Sequence, residues 1–173
     1  MAITLVVEDG TGLATANAYI SVAYADAYHL DRFNEGWAGT TEKKESAILR
    51  ATEYIDRVYL FQGSPINGDQ ALLFPRVGIV TDDYVSIESD VVPDFLQRAA
   101  AEAAVGILCS GDPTESVQTS APRTRRERVG VIEAEFLFDS PEGSITFPRV
   151  AEILAPYISS TRTGGGSTPI VRA

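Results

Sequence analysis

The amino-acid sequence predicts an α+β protein, mainly α-helical with a small β part, and three observations lead to that fold class. Residues 41–60 and 93–110 each place apolar side chains at helical spacing. Residues 63–92, between those two helices, contain too much glycine and proline for a long helix to cross them. Residues 129–138 alternate apolar and polar side chains as a strand does. With a shorter helix ahead of these two, we expect a three-helix core joined to a small β arm.

The length and composition of the chain suit one globular domain with an appendage. Hydrophobic residues make up 45% of the 173 residues and charged residues 22%, as in a soluble protein that buries a core. We expect a helical core domain at residues 1–115 and a C-terminal arm at residues 116–173. No apolar run approaches the roughly 20 residues of a membrane-spanning helix, and the start lacks the features of a signal peptide. The single Cys109 cannot form an internal disulfide, which favours a reducing cytoplasm.

The amino-terminal part predicts a short strand and a first helix. Ile3, Leu5 and Val7 alternate along a short segment that closes in a glycine-containing turn. Ser21 is placed to cap a helix over about residues 22–33. The residues on one face of this helix are Val22, Ala25, Tyr28 or His29, and Phe33. We expect that face to pack on the following helices.

Two longer helices follow, and both carry signals at their amino ends. The second begins near Thr41, with Glu42 in the first turn, where a negative charge is favourable. The third begins at Pro93, because proline tolerates the first helical position, where its missing N–H would have no partner. Its small residues allow a neighbouring helix to approach closely; they are Ala99, Ala100, Ala101, Ala103 and Ala104. We expect the three helices to pack together.

The connection at residues 63–92 contains an apolar group that ends in a proline. Long connections without regular structure are uncommon in compact domains and usually have a role. Apolar side chains of this size are unfavourable in water. We therefore predict that the connection attaches itself to the open side of the helices through a structural anchor, formed by Leu72, Leu73, Phe74, Pro75 and Arg76.

The carboxyl-terminal part predicts a hairpin and a short helix. Residues 112–122 have the Pro/Ser/Thr-rich composition of a linker. We expect a strand over residues 129–138, a turn at residues 140–143 and a partner strand over residues 144–147. A hairpin of this kind is marginal when isolated, so we expect it to contact another subunit. A short helix over about residues 149–157 follows.

The chain closes with a glycine-rich linker and an apolar tail. Residues 164–167 read Gly-Gly-Gly-Ser, which is typical of a flexible linker. Pro169, Ile170 and Val171 then form a short extended segment with no neighbouring sequence to bury it. Such a segment can add itself to the sheet edge or groove of another chain. We expect these three residues to dock on a partner.

The charge of the chain is unevenly distributed. The formal net charge is −10; residues 1–122 hold seven Lys and Arg against 18 Asp and Glu, whereas residues 123–173 hold seven Arg against six acids. A protein whose main part is acidic is poorly suited to bind DNA on its own, because such binding depends on neutralising phosphates. The basic patch consists of Arg123, Arg125, Arg126 and Arg128 around Glu127. We expect it to lie at a subunit interface or to face a channel.

Residues that could support catalysis or bind a metal or cofactor are scarce. His29 is the one histidine, so Ser-His-Asp or Cys-His chemistry would have to involve it, and nothing in the spacing supports that. One His and one Cys exclude the common zinc patterns, and Asp82 and Asp83 lack the spacing of a calcium loop. Glu102 is expected to be a structural acid. We predict no catalytic, metal or cofactor site, and no enzyme activity.

The order of several short motifs resembles a known family. These motifs are Ala-Asn-Ala-Tyr-Ile-Ser at residues 16–21, Ala-Thr-Glu-Tyr-Ile-Asp at residues 51–56, Gln-Ala-Leu-Leu-Phe-Pro-Arg at residues 70–76, and Val92-Pro93 before Ala101-Glu102. Over about residues 14–158 the chain is similar to the small head–tail connector, or adaptor, proteins of tailed bacteriophages. Related sequences are often labelled DnaT-like single-stranded-DNA-binding proteins. Many relatives carry Trp at the position of Phe74.

This resemblance implies a structural virion protein. Connectors of this kind form a homo-oligomeric ring of about twelve copies, with the closed symmetry common in such assemblies. The expected partners are the portal protein, tail or tail-completion proteins, and genomic DNA that passes through the channel without sequence specificity. The expected location is the neck of the virion, assembled in the host cytoplasm. Two alternatives stay open: a single-stranded-DNA-binding replication protein and a tail-completion neck protein.

Overall fold

The protein has the predicted α+β fold, and the residues that the structure describes form four helices and short antiparallel strands. The structure is a computed structural model and describes residues 4–81, 84–110, 123–129, 132–138 and 147–161. The elements in chain order are α1 (Val22–Leu30), α2 (Thr41–Val58), β1 (Tyr59–Phe61), β2 (Ser64–Pro65), β3 (Arg76–Val77), α3 (Asp94–Ser110), β4 (Arg123–Val129), β5 (Ile132–Phe138), α4 (Pro148–Leu154), a 3-10 turn (Ala155–Tyr157) and β6 (Ile158–Thr161).

The described elements fall into two compact units. The helical unit contains α1 to α4 with two small sheets, β1–β6 and β2–β3, and the hairpin β4–β5 forms the second unit. The predicted boundary at residue 115, the linker at 112–122 and the turn at 140–143 lie outside the described residues. The short helix α4, which we expected in the C-terminal arm, packs against α3 in the helical unit.

The core of the helical unit is the packing of α2 against α3. The Thr40 hydroxyl accepts a hydrogen bond from the Lys43 N–H and so caps α2. Apolar residues spaced at helical intervals along α2 are buried, among them Ala47, Ile48, Ala51 and Ile55. The alanines of α3 are fully buried, as a close approach of two helix backbones requires.

Two predictions for the amino-terminal part need correction. The strand expected over residues 3–7 is, in its described part, a single bridge between Val7 and Ala18. The chain bends here because the buried Glu8 carboxylate accepts hydrogen bonds from the N–H groups of Gly10 and Gly12 at 3.0 and 2.8 Å. Helix α1 ends at Leu30 rather than at residue 33. Its predicted cap is confirmed, since the Ser21 hydroxyl accepts from the Tyr24 N–H at 3.1 Å.

Strand pairing near the end of the described chain was not predicted. Helix α2 ends at Val58, and the next residues form β1, which pairs antiparallel with β6. The Ser159 hydroxyl donates to the Leu60 carbonyl at 2.9 Å. Pro148 stands at the start of α4 and Pro156 in the 3-10 turn that follows it. After the 3-10 turn the chain continues as β6, which joins the end of the described chain to β1.

The hairpin has a different pairing from the one expected. Residues 129–138 were predicted to form one strand that pairs with residues 144–147, whereas the structure pairs β4 with β5. Phe147 is instead the residue before α4, and its side chain is buried. The pattern was missed because β4 reads Arg-Thr-Arg-Arg-Glu-Arg-Val and lacks the apolar alternation that signals a strand.

Candidate functional site

The predicted structural anchor is built around Phe74. Its side chain is 1% exposed and makes edge-to-face contacts with the rings of Tyr19, Phe61 and Phe95, whose centroids lie 6.4, 4.8 and 6.0 Å away. Pro75 is also buried, whereas Leu72 and Leu73 are half-buried. The connection thus inserts one aromatic ring into the core instead of covering it with three apolar side chains.

Polar contacts of Asp56 hold this connection on α2. The Asp56 carboxylate accepts hydrogen bonds from the Tyr19 hydroxyl and, at 3.1 Å, from the Leu73 N–H. The Tyr19 oxygen in turn accepts from the Phe74 N–H at 3.3 Å. Burial, and then the negative charge of Asp56, raise the pKa of Tyr19 well above its ordinary value. Tyr19 therefore stays protonated and serves as a structural donor.

Arg76 completes the anchor through backbone carbonyls. Its guanidinium donates to the carbonyl oxygens of Gln62 at 2.8 Å, Gly63 at 2.7 Å and Leu73 at 3.2 Å. Gln62 and Gly63 precede β2 and Leu73 precedes β3, so one side chain supports two segments. The contacts of residues 72–76 are those of a structural element.

His29 is built into the core as a neutral side chain. It is 1% exposed, its Nε2 lies 3.2 Å from the Ala101 carbonyl, and its Nδ1 lies 3.3 Å from the side-chain nitrogen of Asn34. The carbonyl can only accept and the amide nitrogen can only donate, so the proton belongs on Nε2. Burial lowers the pKa of His29, which favours this neutral form. Both ring nitrogens are thus engaged in structural hydrogen bonds.

Metal-binding clusters and membrane-spanning helices are absent from the described residues. Within these ranges no three or more His, Cys, Asp or Glu side chains come together as a group that could hold a metal ion. None of the helices described there is long and apolar enough to cross a membrane. Cys109 is exposed at the end of α3, where its Sγ lies 3.7 Å from the Gly36 carbonyl.

The hairpin places the basic patch on a strand, and its register divides the four arginines into two pairs. Arg123 is paired with Phe138, and Arg125 with Phe136. Directly opposite residues in an antiparallel ladder belong to the same face of the sheet. The two Arg–Phe pairs therefore belong to the same face of the hairpin, two residues apart along each strand. Arg126 and Arg128 belong to the other face, where their register partners are Glu135 and Glu133.

Two exposed aromatic residues were missed by sequence reasoning. Phe33 was expected on the buried face of helix 1, but its side chain is 91% exposed, and Tyr84 is exposed to the same extent. Both have a left-handed backbone, with φ of 50° and 63°. The sequence signal was the run Asn34 to Gly36, which marks the end of a helix without showing where the ring would lie. The predicted docking tail, Pro169, Ile170 and Val171, lies outside the described residues.

Comparison with known proteins identifies the family. Neither the curated proteins nor the solved structures contain a match to this chain. A family model described as "Putative DnaT-like ssDNA binding protein" matches residues 3–173, which is nearly the whole chain. The chain therefore belongs to the DnaT-like single-stranded-DNA-binding protein family.

Proposed function

We propose that this protein binds single-stranded DNA without catalysing a reaction on it, and that the hairpin β4–β5 makes the principal contact. The family membership supports the class of ligand. The observation that carries the proposal is the register of the hairpin, in which Arg123 and Arg125 are paired with Phe138 and Phe136. Proteins that bind single strands combine cations for the phosphates with aromatic rings for the bases.

Strand pairing supplies the aromatic positions that the basic patch lacks in sequence. Read along the chain, residues 123–128 contain four arginines and no aromatic residue. The aromatic residues come from β5, and the register brings them opposite two of the arginines. The other two arginines are opposite glutamates, which reduce the charge available to a phosphate. The face that contains Arg123 and Arg125 is therefore the one suited to DNA.

Electrostatics favour the hairpin over the helical unit as the main contact. The described residues of the helical unit hold eight Lys and Arg against 15 Asp and Glu, whereas the hairpin β4–β5 holds four Arg, all of them in β4, against three Glu. Single-stranded DNA presents a phosphate at every nucleotide, so the excess of acids in the helical unit repels it, whereas the four arginines of β4 attract it. A short basic strand on an acidic protein predicts modest affinity with a marked dependence on salt.

The test measures binding of fluorescent oligo-dT to the full-length protein by anisotropy at several salt concentrations. Each phosphate contact to a single strand contributes about 0.7 to the slope of log affinity against log salt. The double variant R123A/R125A should lower that slope by about 1.4, and R126A/R128A serves as the matched control with a smaller effect. Equal effects of the two variants, or an absence of binding by the unchanged protein, would contradict the proposal.

A head–tail connector is the second candidate, and the apolar character of one hairpin face favours it. Ile132, Ala134, Phe136 and Phe138 share that face by register, and an isolated two-stranded hairpin is marginal in water. A neighbouring subunit could cover the face in a ring beneath the portal protein, in the neck of a virion. Arg126 and Arg128, on the other face, would then face DNA in the channel, and Arg123 and Arg125 would contact the adjacent acidic subunit.

Mass measurement separates the two candidates. Native mass spectrometry of the protein alone and with a portal protein should give a ring of about twelve copies if the connector proposal is correct. A monomer that binds oligo-dT and does not associate with portal would support the first proposal alone.

A further inference from the structure

The end of helix α1 holds an exposed aromatic ring in an unfavourable backbone conformation. Phe33 has φ of 50°, a conformation that is uncommon for bulky residues, and no burial of its ring compensates for the strain. The conformation is maintained by hydrogen bonds from the Phe33 N–H to the Leu30 carbonyl at 3.1 Å and from the Asn34 N–H to the His29 carbonyl at 3.0 Å. The fold thus fixes the backbone that presents this ring to solvent.

A positioned arginine lies directly before this ring in sequence. The Arg32 guanidinium carbon is 3.5 Å from the centroid of the Tyr28 ring, and Nη1 donates to the Tyr28 carbonyl at 3.0 Å. A guanidinium has five N–H donors, and within the described part of the chain Arg32 has this carbonyl as its one hydrogen-bond acceptor. Arg32 is therefore oriented by Tyr28 while most of its donors remain available for an anion.

A second arginine borders the same groove. Arg149 donates from Nη1 to the two carboxylate oxygens of Glu102 at 3.2 and 3.4 Å, and its side chain is 73% exposed. The buried Glu102 carboxylate also accepts from the Tyr28 hydroxyl at 3.0 Å. Because one nitrogen of Arg149 makes both contacts, its other N–H groups are left toward solvent.

These groups line one open groove. The groove has a volume of about 680 Å³, and Arg32, Phe33 and Arg149 are among its lining residues. An exposed flat ring favours a flat aromatic ligand, and two guanidinium groups with unused donors favour a phosphate. Glu102 and Glu152 also line the groove, so two acids balance the two bases. Stacking would therefore contribute more to the affinity of this site than net charge.

We propose that this groove is a second contact for single-stranded DNA, in which Phe33 stacks on one base and Arg32 and Arg149 bind an adjacent phosphate. The inference rests on the proposed function, because it names a further subsite for the same ligand. It differs from the hairpin contact in its physical basis, since the hairpin combines charge with stacking and this groove relies mainly on stacking.

Tyr84 provides a matched control for Phe33. It is equally exposed and also has a positive φ, but residues 77–91 around it contain no Lys or Arg. The experiment measures oligo-dT binding by the full-length protein and by F33L, F33W and Y84L. Stacking of one base predicts that F33L weakens binding at least about fivefold with little change in salt slope. F33W should retain the affinity, Y84L should bind like the unchanged protein, and R32Q should lower the slope by about 0.7.

The outcomes separate this inference from the proposal on which it rests. If R123A/R125A weakens binding while F33L and Y84L have equal or no effect, the groove is not a DNA contact and the hairpin proposal stands. If F33L alters the oligomeric mass but not the DNA affinity, Phe33 contacts protein and the inference is wrong. If the unchanged protein does not bind oligo-dT, both proposals fail. The thermal unfolding midpoint of F33L should match that of the unchanged protein, because both side chains are exposed at this position.

Discussion

At the scale of single residues, burial distinguishes two phenylalanines that the sequence presents alike. Phe74 follows two leucines and is 1% exposed among three other rings, whereas Phe33 follows an arginine and is 91% exposed. The difference comes from hydrogen bonds of the surrounding backbone. Asp56 and Tyr19 hold the Leu73 and Phe74 N–H groups toward the core, while the helix-terminal bonds at Leu30 and Asn34 hold Phe33 outward.

The first prediction concerns the anchor. Replacing Phe74 by Ala should lower the free energy of unfolding by about 3–5 kcal/mol, because truncation of a buried Phe loses transfer energy and leaves a cavity. Urea denaturation of both proteins measures the difference. Leu72→Ala, at a half-buried position of the same segment, is the control and should cost clearly less. A loss below about 1 kcal/mol for Phe74→Ala would show that the connection is not anchored by this ring.

The second prediction concerns pH. Burial lowers the pKa of His29 in the folded protein, and the opposing effects of Ala101, Glu102 and Asp26 are smaller. Near pH 6.5, the approximate ordinary pKa of histidine, the unfolded chain therefore binds more protons than the folded chain. Stability is therefore fully present above that pH and decreases as pH falls below it. Urea midpoints between about pH 7 and 5.5 measure the slope, which His29→Gln should remove because the chain has no other histidine. A midpoint that rises on acidification in this window would contradict the assignment.

At the scale of elements, a glycine in the middle of α3 sets the approach of the chain that leads into α4. A Cβ on Gly106 would lie 2.4 Å from the Phe147 ring, closer than any real contact. Glycine inside a helix is ordinarily destabilising by roughly 0.5–1 kcal/mol relative to alanine. Its presence here has a packing reason, because Phe147 is buried against the helix backbone just before α4 begins.

The third prediction follows from this contact. Gly106→Ala should destabilise the protein by about 1–3 kcal/mol through overpacking, even though alanine is the better helix former. Thermal or urea unfolding measures the change. Gly68→Ala is the control, because a Cβ there meets nothing within 4 Å and should leave stability nearly unchanged. An increase in stability for Gly106→Ala would mean that Phe147 can move away at little cost.

At the scale of the whole molecule, the division into two units shows which segment can be deleted in an experiment. The sequence predicts a C-terminal arm at residues 116–173, but Phe147 and α4 belong to the helical unit, so the segment to remove is residues 111–146. Gly106 and Phe147 are in contact, and Ser110 is about one helical turn beyond Gly106. A short Gly/Ser linker should therefore reach from Ser110 to Phe147.

The fourth prediction concerns this deletion. The chain without residues 111–146 should fold with the helical content of the remaining unit and unfold cooperatively, because that unit has its own core. It should lose most of the salt-dependent part of oligo-dT binding, and any ring assembly with it. Circular dichroism, anisotropy and native mass measurement test the three statements. Retention of complete rings and of the salt slope would show that the hairpin has neither role.

The sequence by itself determined the α+β class, the cap of α1 and the two long helices, because helical periodicity and capping depend on residues a few positions apart. Tertiary structure decided the rest. The β1–β6 pairing joins Tyr59 to Thr161 and Phe61 to Ile158. The hairpin pairs β4, which lacks apolar alternation, with β5, which has it. The positions of the rings of Phe74 and Phe33 likewise depend on which backbone N–H groups find distant partners. Long-range contacts of this kind leave no local periodicity, so only the folded chain shows which arginines share a face with aromatic residues.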